Sequence, residues 1–132
     1  MARILVIDDD LLLRGTVELI LRSEGHDVAS VGDGREGLRR FRADRFDLVA
    51  CDALMPNRDG LETIKEIRDL AAALPIIAFT GGPAHADGPG SATDVLHLAR
   101  QLRDTETLAK PFRSRELLAL VRRCLAAPAV GA

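Results

Sequence analysis

Carboxylates dominate the residues that could do chemistry in this chain: Asp8, Asp9 and Asp10 in succession, and Asp52 where the apolar run Leu48 to Cys51 stops. Thr80 follows the apolar run Ile76 to Phe79, and Lys110 follows Leu108 and Ala109. Separately, each has a structural explanation: Asp9 or Asp10 as a helix cap, Asp52 as a turn residue, Thr80 as a strand end, Lys110 as surface charge. Together they suit a different task. Carboxylates gathered in one crevice repel by about 4 kcal/mol per pair at ~4 Å with an effective dielectric near ~20. A counter-charge is therefore required, and hard oxygen donors in a partly open site suit Mg²⁺. An aspartate can also act as a nucleophile towards phosphorus, giving an acyl phosphate. Such a transfer needs alignment and neutralised phosphoryl oxygens, which Mg²⁺, Lys110 and the Thr80 hydroxyl would supply.

The basic residues point the same way. Of the 18 Lys and Arg residues only Lys65 and Lys110 are lysine, so ordinary surface charge is written as arginine. A lysine retained at the end of a short apolar run marks a place for a compact point charge on a flexible stem. Lys65, within a helical pattern, reads as solvated surface.

Five short apolar runs, Ile4 to Ile7, Val28 to Val31, Leu48 to Cys51, Ile76 to Phe79 and Leu108 to Ala109, read as strands. Amphipathic patterns lie between and after them: Leu13, Val17, Ile20 and Leu21; Leu38 and Phe41; Leu61, Ile64 and Ile67; Val95, Leu98, Ala99 and Leu102; and Leu117, Leu118, Val121 and Leu125. Five alternations of strand and helix predict an α/β fold with a parallel sheet covered on both faces and right-handed crossovers. In such a sheet the ligand site lies beyond the carboxyl ends of the strands. That rule brings Asp8, Asp9, Asp52, Thr80 and Lys110 to one crevice.

Composition excludes other classes. A length of 132 residues fits one domain, here 1–126 with a short tail at 127–132. A net charge of -2, no Trp or Tyr and only four Phe leave neither a general attraction to nucleic acid nor a base-stacking platform. No signal peptide is legible, so a cytoplasmic location is expected without membrane insertion. Cys51 and Cys124 are in no metal-ligand spacing and read as small buried apolar residues. His26 reads as closing a helix-to-strand turn, and His85 and His97 form no cluster with it. The Arg-rich segment 35–45 reads as a solvated face. The Gly-rich stretch after Thr80 has neither phosphate-loop nor dinucleotide spacing.

The stretches I-L-V-I-D-D-D, D-A-L-M-P-N-R-D-G, I-I-A-F-T-G and L-A-K-P-F resemble, in order and over nearly the whole chain, the motifs of response-regulator receiver domains. The resemblance implies a flavodoxin-like doubly wound sheet of order 2-1-3-4-5 with five helices. It implies that Asp52 accepts a phosphoryl group from a histidine kinase or a histidine phosphotransfer protein. Asp9, Asp52 and the backbone carbonyl of Leu54 would bind Mg²⁺ directly, Asp8 would act through a water on the metal, and Thr80 and Lys110 would read the phosphoryl group. Lys110-Pro111 is a position where the family often has a cis peptide. The implied protein is a stand-alone signalling module in a two-component system, acting on a separate output protein or draining phosphoryl groups from a kinase, rather than an enzyme.

Two positions depart from the family pattern. Thr107 stands where a switching aromatic is usual, with Arg103 and Asp104 replacing the adjoining Gly-Ala, and residues 81–92 lengthen the interval between Thr80 and Lys110. This segment is therefore expected to carry the conformational response. Two alternatives remain at this level: a Mg²⁺-dependent phosphohydrolase with Asp8 as nucleophile and Asp10 as acid, resembling haloacid-dehalogenase-like enzymes, and a pseudo-receiver acting without phosphorylation.

Overall fold

The computed structural model describes residues 1–53, 55, 59–81 and 104–126. Its elements run β1 (Arg3–Ile7), α1 (Leu11–Ser23), β2 (Asp27–Val31), α2 (Gly34–Ala43), β3 (Leu48–Asp52), α3 (Asp59–Leu70), β4 (Ile76–Thr80), β5 (Glu106–Ala109) and α4 (Ser114–Ala126). The strands form one parallel sheet in the order β2-β1-β3-β4-β5. The helix expected over Val95 to Leu102, the segment 82–92 and the tail at 127–132 lie outside the described residues.

Strand alternation divides the core into two layers. Ile4, Val6, Leu48, Ala50, Ile77 and Phe79 face one side, packed with Val17 and Leu21 of α1 and Leu117, Leu120 and Val121 of α4. Leu5, Ile7, Val49, Cys51, Ile76 and Ala78 face the other, packed with Ile64 and Ile67 of α3. The expected strands prove short at their polar ends. Asp52 and Thr80 do not follow β3 and β4 but complete them, in register with Phe79 and Ala109. At the edge, β5 begins two residues early, with exposed Glu106 and Thr107.

Local signals set the helix boundaries. Asp10 is the N-cap of α1, its carboxylate accepting from the Leu12 and Leu13 amides, and Asp33 caps α2 through the Glu36 amide. After α1, Gly25 takes φ +87°, a conformation that costs glycine little. His26 then closes the turn into β2, its amide bonding the Leu21 carbonyl at 3.3 Å. Cys51 is fully buried as expected, whereas Cys124 is only half-buried.

The start of α3 presses on the end of β3. A Cβ on Gly60 would collide with the Asp52 carbonyl oxygen and lie 2.8 and 2.9 Å from the Ala53 carbonyl carbon and oxygen, all of them backbone atoms. At the far end of α3, the Arg68 guanidinium donates to the Leu74 carbonyl at 2.7 Å and the Asp104 carbonyl at 2.8 Å, tying the helix to the approach of β5. Gly60→Ala is expected to lower unfolding free energy by about 1–3 kcal/mol, as overpacking does. Urea unfolding measures it, and an unchanged midpoint would show that α3 can back away freely.

Candidate functional site

The alternation that builds the core also aims the acids. Val6 and Ala50 are register partners on the face covered by α1 and α4. Two residues further along each strand lie Asp8 and Asp52, which the period of two keeps on that face and side by side. Their side chains are buried, Asp8 completely and Asp52 with 6% of its surface exposed. Asp9 is exposed. One carboxylate oxygen from each of Asp8, Asp9 and Asp52 lies within 4.8 Å of the other two.

Lys110 reaches this group from the end of β5. Its amide donates to the Thr80 carbonyl at 3.1 Å, fixing it beside β4, and Phe112 stacks on Phe79 with ring centroids 5.0 Å apart. The intervening Lys110-Pro111 peptide is cis. The Lys110 Nζ lies 3.0 Å from Asp52 Oδ2, to which it donates a hydrogen bond, and 3.0 Å from Asp8 Oδ2. The Asp8 contact is an ion pair outside hydrogen-bond geometry, and no described donor bonds that buried oxygen. Asp8 Oδ1 instead accepts the Asp10 amide at 2.9 Å. Thr80 is buried at the end of β4.

Burial, the largest influence, raises the Asp8 carboxyl above its ordinary 3.8, with Asp52 pushing the same way and the Asp10 amide and Lys110 opposing. For Lys110, desolvation acts downwards, but Asp52 and Asp8 together outweigh it and raise the ammonium above 10.5. Cys51, buried beside the same acids, has its thiol pushed well up by burial and then by Asp52 and Asp8.

Among the described residues the crevice thus holds three carboxylates against one ammonium, and a buried Asp8 oxygen retains capacity for a further cation or donor. That donor set, all hard oxygen, fits Mg²⁺ and offers nothing to a soft metal. Of the expected site residues, Asp8, Asp9, Asp52 and Lys110 are brought together, and Thr80 adjoins them through its carbonyl. Leu54 lies outside the described residues. Asp10 belongs to the helix cap. Sequence reasoning missed Arg14, whose Nη1 donates to the Asp8 carbonyl at 3.0 Å. A cleft of about 830 Å³ opens at the opposite end of the sheet, beside Arg68, Leu74 and Glu106, remote from these acids.

Comparison with known proteins places the fold in a family. The model of the response regulator receiver domain matches residues 4–122, and the chain belongs to that family of two-component signalling modules. It is 35% identical over 126 residues to the response regulator MprA of Mycolicibacterium vanbaalenii, covering 93% of this chain and 50% of that protein. With the DNA-binding response regulator MtrA of Mycobacterium tuberculosis it shares 34% identity over 122 residues, 91% of this chain and 49% of MtrA. The chain therefore spans about half the length of these relatives, and DNA binding is a property of MtrA as a whole. Among solved structures, the chemotaxis protein CheY4 of Vibrio cholerae superposes with a TM-score of 0.81 at 29% identity, covering 95% of this chain and 99% of that one. No helix among the described residues is long and apolar enough to cross a membrane.

The pKa directions fix a pH dependence. Asp8, raised when folded, binds its proton more tightly in the native state, so the stability this provides is lost as pH rises from 3.8 through its folded value. The contribution of Lys110 is complete below 10.5 and lost as pH rises through its own folded value. Lys110→Met removes the counter-charge and is expected to cost about 3 kcal/mol at pH 7, as breaking a buried pair does. The cost should shrink as the pH is lowered and Asp8 protonates. Urea unfolding at several pH values tests this, and a pH-independent loss would exclude the ion pair as its cause.

Proposed function

We propose that Asp52 is the phosphoacceptor of this receiver domain and that transfer from a histidine kinase or histidine phosphotransfer protein depends on Mg²⁺. The observation that carries this reading is the Lys110 ammonium held 3.0 Å from Asp8 and 3.0 Å from Asp52, with Asp9 inside the same oxygen cluster. An Asp52 carboxylate oxygen forms a bond to phosphorus while the phosphorus–nitrogen bond of a phosphohistidine breaks. The departing electron pair stays on the imidazole nitrogen, and the product is an acyl phosphate.

The chain's residues divide the work. Asp8, Asp9 and Asp52 would hold Mg²⁺, with the Leu54 carbonyl as a further oxygen donor. The metal supplies charge neutralisation at the phosphoryl oxygens when bound. Lys110 exchanges part of its pairing with Asp8 and Asp52 for a phosphoryl oxygen, and the Thr80 hydroxyl donates to another. Because Thr80 and Lys110 are joined through their backbones, a pull on either is passed to the ends of β4 and β5. The output is a change in affinity for another protein surface, whether a separate partner or a domain on a longer chain.

The phosphohydrolase alternative loses its acid. Asp10 is engaged as the N-cap of α1, and among the described residues the carboxylate cluster consists of Asp8, Asp9 and Asp52. Thr107, at the usual switching position, is exposed on β5 opposite Ala78. The transmission route expected through residues 81–92 falls almost wholly outside the described chain.

Incubation with acetyl phosphate and Mg²⁺ is expected to add one phosphoryl group to Asp52, located by mass spectrometry of the peptides. Asp52→Asn should abolish it, and omission of Mg²⁺ should slow it by an order of magnitude or more, as loss of phosphoryl-charge neutralisation would. An adduct on Asp8, or undiminished labelling of Asp52→Asn, would overturn the assignment.

A further inference from the structure

We propose that Arg14 is a positioning residue for Asp9, and that position 32 is glycine in order to admit the Arg14 guanidinium. The inference rests on the receiver reading for the role of Asp9, though the contact itself can be tested without it.

Asp9 is exposed, so packing does not orient it, yet as a metal ligand it must be aimed. Its two flanking peptide units are held instead. The Asp9–Asp10 unit is fixed by its N–H, which donates to Asp8 Oδ1 at 2.9 Å. The Asp8–Asp9 unit is fixed by its carbonyl oxygen, which accepts from Arg14 Nη1 at 3.0 Å. Rotation of that peptide plane would swing the Asp9 side chain, so the guanidinium acts on the acid through the backbone between them.

A donor is needed there because the sheet ladder ends. Asp8 N–H donates to the Val31 carbonyl at 3.1 Å, the last rung between β1 and β2. The next rung of a parallel ladder would bring the amide of Asp33, but the paired residues of β1 and β2 end at Ile7 and Val31 and Asp33 is the N-cap of α2. Arg14, one turn into α1, reaches back over the gap. Its path crosses Gly32, where a Cβ would lie 2.7 Å from Nη1 and 3.8 Å from Cζ. Gly32 does not adopt the left-handed backbone that would itself favour glycine, so space for the guanidinium accounts for the residue. A methyl group there would displace a flexible side chain rather than backbone, and its effect on the acids would pass through Arg14.

A double-mutant cycle on the full chain, read as the Mg²⁺ dissociation constant by calorimetry, tests this. Arg14→Met and Gly32→Ala are each expected to weaken Mg²⁺ binding by about tenfold, the scale for groups that orient metal ligands. The double variant should be no weaker than Arg14→Met by more than about twofold, because the methyl group then has nothing to displace. In the metal-free protein, Arg14→Met should speed hydrogen exchange of the Asp10 amide, a readout that a general stabilising role of α1 would not single out. Losses that multiply in the double variant, unchanged Mg²⁺ affinity, or unchanged Asp10 exchange would each overturn the proposal. If the wild-type chain takes up no Mg²⁺, the metal-site reading fails, and the metal-free exchange alone decides whether Arg14 clamps the turn.

Discussion

Placing Asp8 beside Asp52 at the ends of neighbouring strands sets the constraint on which the site depends. Both side chains are buried, and carboxylates at such range repel by several kcal/mol even at the moderate effective dielectric of a protein. Without a cation between them, one acid would have to take up a proton or the ends of β1 and β3 would separate. Lys110, half-buried, supplies that cation at 3.0 Å from each. The pairing is therefore a structural requirement of the crevice.

Much of the fold can be understood as the support this contact requires. The period of two along β1 and β3 puts both acids on one face, and the buried row Val6–Ala50–Ile77 keeps the three strands in register. Gly60 lets α3 start hard against the Asp52 carbonyl, so the acid is braced from behind by backbone. Phe112 on Phe79 and the amide of Lys110 on the Thr80 carbonyl fix the root of the lysine. Arg14 completes the support by holding the turn between β1 and α1.

Most of this was legible in the sequence because it is written in residue type. Short runs apolar on both faces, each followed by a helical period, define the sheet, and acids or a lysine where the runs stop define the crevice. What escaped did so for physical reasons. Glu106 and Thr107 belong to an edge strand that faces solvent, so no apolar run announces them. Asp52 and Thr80 complete strands rather than follow them, because a hydrogen-bonding ladder continues under a polar side chain as readily as under an apolar one. The partnership of Arg14 with Gly32 has no periodicity at all, since a long side chain crossing a gap between strand ends depends on tertiary proximity. Asp10 had two readings in the sequence, and its bonds to the Leu12 and Leu13 amides decide for the cap.

The central claim is that Asp52, with a metal held by its neighbours, is where a phosphoryl group attaches. Beryllofluoride mimics that group, and ¹⁹F NMR of the protein with beryllium fluoride observes its capture directly. The account predicts bound fluoride resonances with Mg²⁺ present, absent without Mg²⁺ and absent in Asp52→Asn. Bound resonances that persist in Asp52→Asn, or that form equally well without Mg²⁺, would contradict it.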